Sequence, residues 1–335
     1  MRARNRFIIL VLFLFLVALF LISIAIGKYP IKPKEVVGIL GSRFLPIEPY
    51  WTNQMETIFY HVRLPRILLA IMVGCCLSTA GASYQGIFQN PMAAPDVLGA
   101  SAGAAFGAAQ AIMHHAGNRM ITLSAFAFSI VTVILVYLVG RRSRGSKVLA
   151  LVLAGIMVSS LFSAGTSYLK LVADPNDTLP AITYWLMGSL SGTKIEDVAF
   201  ASIPMALGLI PLFLLRWQLN MLTLGDEEAR TMGVNTGLIR FLTITCATLI
   251  TAASVSVSGM IGWVGLVIPH MGRRLVGNNY RHLIPVTMLL GANFLLLVDN
   301  VSRNLWTSEI PIGILTAFIG APFFLYLIAR EGDVI

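Results

Sequence analysis

Residues 219–237, LNMLTLGDEEARTMGVNTG, place three acids and one arginine between two long apolar runs of a chain that is only 12% charged. Such a stretch is built to sit in water and meet another surface. Gly225 breaks the chain, Asp226 is placed to cap the amides of a new helix, and Gly233 sits where a C′ glycine ends one. The spacing predicts a helix of about two turns, with Ala229 and Met232 forming a small apolar patch. A solvated loop between membrane helices is the simpler account of the same residues.

The arginines form a second set. Arg63 and Arg66, in HVRLPR, and Arg303 fall at span ends on the outer side, against the usual topological bias of positive charge. Charge placed there calls for an anionic partner: a phosphate, a lipid head group or the acidic face of a docking protein. Gly99, Gly103 and Gly107, four apart in GASAGAAFG, make a bare helix face. That face serves helix packing first, and it also leaves room along a pathway for a large solute.

What is missing narrows the function. There is no G-x-x-x-x-G-K-[ST] nucleotide loop and no H-E-x-x-H zinc motif, and the five histidines are scattered at span ends. Cys75, Cys76 and Cys246 lie in apolar runs without a C-x-x-C pair, as small packing residues. No acid or base falls securely in mid-span, which disfavours a secondary transporter driven by an ion gradient through intramembrane carboxylates. An enzyme is disfavoured for want of a catalytic constellation. Nucleic acid is disfavoured because the formal charge of +9 is spread over span ends and forms no stripe.

These residues hang on a membrane scaffold. The chain is 57% hydrophobic and carries half the roughly 25% charged residues of a soluble protein. It reads as an all-α polytopic membrane protein, a single domain over 1–335, with about ten transmembrane helices. The spans fall at 7–26, 66–86, 96–113, 120–140, 148–170, 197–215, two within 241–272, 283–301 and 311–329. The first, after MRARNR, is too long for a signal peptide and is retained. Short helices are expected at 33–41 and, near the membrane surface, in WLMGSLSG. Pro204 and Pro211 are expected to kink their span, and Ser258–Gly262 to turn the 241–272 run. Basic residues, RRSRGSK (141–147) above all, put both termini and the 217–237 loop in the cytoplasm.

Five motifs, in order along nearly the whole chain, resemble the FecCD family of ABC-importer permeases. They are RLPR (63–66), AGASYQGIFQNPMAAPDVLGASAGA (80–104), LGDEEARTMGV (224–234), SGMIGWVGLVIPHMGRRLVG (258–277), and EIPIG (309–313) with GAP (320–322). The resemblance implies a type II ABC importer permease fold with an inverted repeat, its halves at about 63–171 and 240–329. It implies a multi-pass subunit of the cell membrane that pairs with a second permease copy or a paralogue. Separate cytoplasmic ATPase subunits would carry ATP and Mg, and an external solute-binding protein would deliver cargo. The chain itself would be no enzyme and hold no metal or cofactor. Leu224, Gly225, Asp226, Glu227, Ala229 and Gly233 then match the ATPase-coupling element, and Arg63, Arg66 and Arg303 the binding-protein docking positions. Gly99, Gly103, Gly107, Asn90, Pro91, Gly259, Gly262 and Pro269 match positions of the pathway or its helix packing. The cargo implied is a bulky metal chelate, a ferric siderophore first, with haem, cobalamin and oxyanions as alternatives.

Overall fold

The computed structural model describes residues 2–43, 48–142 and 147–331, with no strand among them. After α1 (Arg2–Ala25) come the short α2 (Pro33–Gly41) and α3 (Asn53–Ile58). Helix α3 runs on through a π turn at Phe59–Arg63 into α4 (Leu64–Ile87). Then follow α5 (Ala100–Met113), α6 (Asn118–Arg141), α7 (Lys147–Val172), the short α8 (Thr178–Leu186) and α9 (Ile195–Leu214). The chain continues through the short α10 (Arg216–Leu222) and α11 (Asp226–Thr231) to α12 (Thr236–Ser258), α13 (Val264–Val276), α14 (Tyr280–Asn304) and α15 (Ile312–Glu331).

Among the described residues, seven helical stretches are long and apolar enough to cross a membrane. With the shorter α5, α13 and α15 they make a multi-pass bundle of about ten segments, as expected from the runs of about twenty apolar residues. Helix α4 is its centre: 78% of its most apolar window is buried, against 17% for α1 and for α7. Small residues make this possible. A Cβ on Gly74 would collide with the carbonyl oxygen of Gly291 in α14 and lie 2.8 Å from Leu295 Cβ. A Cβ on Gly81 would collide with the carbonyl oxygen of Gly265 in α13. Between these contacts Ser78 Oγ donates to the Thr287 carbonyl at 2.8 Å, and beyond them Tyr84 shares a 2.9 Å hydrogen bond with Thr248 of α12. In lipid, where apolar surface gains nothing from leaving water, close backbone approach of this kind holds helices together.

Two helices are too short to cross alone. At 1.5 Å per residue, α5 and α13 reach only about 20 Å, against about 30 Å of hydrocarbon. Each follows an unwound segment, 88–99 before α5 and 259–263 before α13. The two segments come together: a Cβ on Gly265 would collide with the Pro95 ring. The same order of elements occurs in 64–172 and in 236–331: long helix, break, short helix, two longer helices.

Several expectations need correction. The surface helix is α8, Thr178–Leu186, which ends before most of WLMGSLSG because Gly188 turns the chain at φ +71°. The span expected from residue 66 starts earlier: Thr52 Oγ1 accepts the Met55 amide at 3.3 Å and starts a helix continuous with α4. Residues 143–146 of the basic cluster lie outside the described residues.

Replacing Gly81 with Val is therefore expected to abolish the folded protein, while Gly117→Ala, with nothing within 4 Å, leaves it intact. Overpacking of this kind costs about 1–3 kcal/mol or more, and thermal melting in detergent reads the difference.

Candidate functional site

The two breaks frame a cavity of about 800 Å³. Its walls include Asp96, Ser101, Met187, Met260, Trp263 and Phe318. Gly99, at φ +77°, turns the chain into α5, and Asp96 Oδ1 accepts the Ser101 amide at 2.9 Å. Asp96 is otherwise exposed in this hollow. Trp263 leads into α13 at φ +69°, unusual for a bulky residue, and packs against Gly320, where a Cβ would lie 2.5 Å from Trp263 Cβ. Such a conformation costs on the order of 1–3 kcal/mol and persists only where surrounding packing enforces it.

Three glycines join the break at 259–263 to its neighbours. A Cβ on Gly188 would collide with the Met260 carbonyl oxygen, one on Gly259 with that of Trp185, and one on Gly313 with that of Met187. Gly188 and Gly259 also sit at φ +71° and +66°. The Ser189 amide donates to the Ser258 carbonyl at 2.8 Å. This junction ties the end of α8 and the start of α15 to the α12–α13 break. On its other side lies a second cavity of about 510 Å³, bordered by Trp185, Ser189, Ser258 and Gly259.

The remaining pathway positions separate by role. Gly103 and Gly107 face α6, where a Cβ would lie 2.6 Å from the Phe128 carbonyl oxygen and 2.5 Å from that of Ser124, respectively. They are packing residues between α5 and α6. Asn90 and Pro91 are exposed in the 88–99 segment, where Asn90 Oδ1 accepts the Met92 amide at 2.9 Å. Gly262 has open space about it, and Pro269 is buried within α13. Gly99–Gly103 also spells G-x-S-x-G, but no strand leads into it, so it is not the strand-to-helix elbow that exposes a nucleophilic serine.

The acidic loop does fold into a helix, α11. Gly225, at φ +122°, occupies the cap position, and Asp226 is the first helical residue rather than the cap. The exit is a Schellman turn: the Val234 amide donates to the Ala229 carbonyl at 3.0 Å, and that of Gly233, at φ +80°, to Arg230 at 2.9 Å. Ala229 is fully buried whereas Met232 is 55% exposed, so the expected patch between them does not form. Instead Leu224 and Met232 are exposed alongside Glu227 and Glu228.

The three arginines gather at one end of α4, and all are buried. Arg63 donates to the carbonyls of Ile24, Ala25 and Tyr29, satisfying the open end of α1. Arg66 pairs with Asp299 at 2.8 Å and Glu309 at 2.7 Å. Arg303 Nε lies 3.1 Å from the other oxygen of Asp299. Sequence reasoning missed both acids as partners, because they stand 233 and 243 residues from Arg66. Among the described residues, three guanidiniums here face two carboxylates, which leaves one positive charge, and Arg66 Nη2 has no hydrogen-bond partner. Asp299→Ala would leave two buried guanidiniums without their shared carboxylate. It is expected to destabilise the protein by about 3–5 kcal/mol; an unchanged melting temperature in detergent would contradict this ionic clamp.

Known proteins resemble this chain in sequence and fold. The molybdate import system permease protein MolB of Haemophilus influenzae is 41% identical over 95% of this chain and 95% of its own. The Fe(3+)-citrate import system permease protein YfmE of Bacillus subtilis is 38% identical over 96% and 95%. A solved structure, assigned as a metal-chelate type ABC transporter in an inward-facing conformation, matches with a TM-score of 0.86. It is 40% identical and covers 96% of this chain and 99% of that one. The FecCD transport family model matches residues 14–330, and the chain belongs to that family.

Proposed function

We propose that this chain is the permease subunit of an ATP-driven importer that carries a bulky metal chelate, a ferric siderophore or similar iron complex, into the cytoplasm. The observation that carries the reading is α11. It is a helix fixed at its exit by a Schellman turn, with Leu224, Met232, Glu227 and Glu228 exposed, in a chain without a nucleotide-binding loop. Exposed apolar and acidic side chains on one short element suit a groove on a partner, and a short helix backed by α10 and α12 transmits a push as a rigid body. ATP and Mg belong on that partner, a separate ATPase subunit, and both chain termini lie on its side of the cell membrane.

The cargo route follows from the breaks. A cavity of about 800 Å³, walled mostly by apolar side chains, has room for a chelate with an organic skeleton. The glycine junction above it has to part for cargo to enter. A second permease subunit closes the pathway: α7 and α15 carry exposed large apolar residues such as Leu161, Leu171 and Phe318. On the opposite end from α11, the surplus positive charge of Arg63, Arg66 and Arg303 suits an acidic residue of a docking solute-binding protein.

In proteoliposomes holding this chain with its ATPase subunits and binding protein, Glu227→Arg or deletion of 226–232 is expected to abolish ATP-dependent chelate uptake. The Glu227→Arg permease, altered at an exposed position, still inserts and melts normally. Uptake at the unaltered rate would sink the assignment of α11. At the other face, Arg303→Glu is expected to weaken binding-protein affinity by roughly tenfold or more. Unchanged affinity in a folded variant would remove the arginines from the docking surface.

A further inference from the structure

Helix α4 ends on a turn of the Schellman type. The Asn90 amide donates to the Gln85 carbonyl at 3.2 Å, and Gln89 takes the left-handed position at φ +47°. That position suits glycine or asparagine, and in the matching turn after α11 it is held by Gly233. Glutamine carries a Cβ that this conformation disfavours, so its side chain needs another use. It has one: Nε2 donates at 2.9 Å to the carbonyl of Leu222, 133 residues along the chain. Leu222 is the last residue of α10, which leads through 223–225 into α11. We infer that Gln89 is a positioning residue that joins the movement of α11 to the 88–99 break; this rests on α11 being the ATPase-coupling helix.

The parts on either side of this bond keep their shape, as elements that pass on a displacement must. On the α11 side, the Leu224 amide donates to the Met221 carbonyl at 3.1 Å, which leaves little slack between α10 and α11. Helix α10 itself is seated through the buried Leu219 and Leu222, and it packs on both α4 and α14. Its Asn220 Oδ1 accepts the amide of Tyr280, the first residue of α14, at 3.2 Å. The Tyr280 ring in turn lies on Gly86, where a Cβ would come within 2.9 Å of it. On the other side, 88–99 is a run of turns. The Ala93 amide donates to the Asn90 carbonyl at 3.1 Å, that of Val97 to Ala94 at 3.1 Å, and that of Gly99 to Asp96 at 2.8 Å. Ala94, Pro95 and Asp96 border the cavity of about 800 Å³. A shift of α10 thus enters the break at Gln89 and arrives at the cavity wall.

The test needs neither cargo nor binding protein. The full complex, this chain with its ATPase subunits and paired permease, is placed in nanodiscs with Cys75, Cys76 and Cys246 replaced by Ser. Met92→Cys, at an exposed position of the break, is the reporter. Its labelling by a water-soluble maleimide is timed without nucleotide and with ATP and vanadate. With Gln89 in place the two rates are expected to differ by roughly fivefold or more. Gln89→Gly and Gln89→Asn both fit the left-handed position, the first without a side chain and the second one methylene too short. Their complexes are expected to melt normally and bind nucleotide, yet to lose the difference. Gln89→Lys keeps a donor of sufficient reach and is expected to retain it. A difference kept by the folded Gly and Asn variants, or lost by the folded Lys variant, would overturn the role of Gln89 while leaving α11 its own. A difference that survives Glu227→Arg would remove α11 as the entry point, and this inference with it. Equal rates with Gln89 in place would show a break that nucleotide does not move, and would overturn the inference too.

Discussion

Everything in this molecule leans on the contact of bare backbone along α4. Gly74 lies against the Gly291 carbonyl and Gly81 against that of Gly265, each too close for any side chain. Within a bilayer such contacts gain dispersion energy and weak polar attraction that larger residues would forfeit by holding the helices apart. They fix α13 and α14 to α4 and so decide where the α12–α13 break lies. Ser78 and Tyr84, between and beyond the glycines, add hydrogen bonds that set register along the same faces.

From that core the functional parts follow by position. Gly265, pressed on α4 by one side, meets the Pro95 ring on the other, so the two unwound segments are held against each other. Irregular backbone at membrane depth is tolerated only where protein buries it or where it lines a cavity, and here it does both. The glycine junction of 188, 259 and 313 then closes one end of the cavity largely by backbone-to-backbone contact. Such a seal can shear without dragging large side chains through packed surroundings. Helix α11 joins this core at its edge, through α10 and α12 and the buried Ala229, away from the cavity.

Much of this was legible in the sequence. Apolar runs located the spans, and the expected turn at 258–262 differs by one residue from the break at 259–263. Gly225 and Gly233 marked the ends of α11 correctly, because both need positive φ. What the sequence hid depends on side-chain direction and on distant pairs. Ala229 turns inward and Met232 outward although they are three apart on one short helix, because Ala229 is packed into the core while Met232 follows the last helical residue. The arginines looked like free charges at span ends. Arg63 instead closes α1, and Arg66 and Arg303 share Asp299, a partnership that no local pattern announces.

The claim most exposed to test is that the junction between α8 and the α12–α13 break has to part for cargo to pass. Ser189 and Ser258, whose backbones hydrogen-bond across it, can both be replaced by Cys in the full importer complex. The native cysteines Cys75, Cys76 and Cys246 are first replaced by Ser. With the new disulfide formed, ATP-dependent chelate uptake is predicted to stop and to return on reduction, while ATP hydrolysis continues throughout. Uptake at the reduced rate with the disulfide intact would contradict the account.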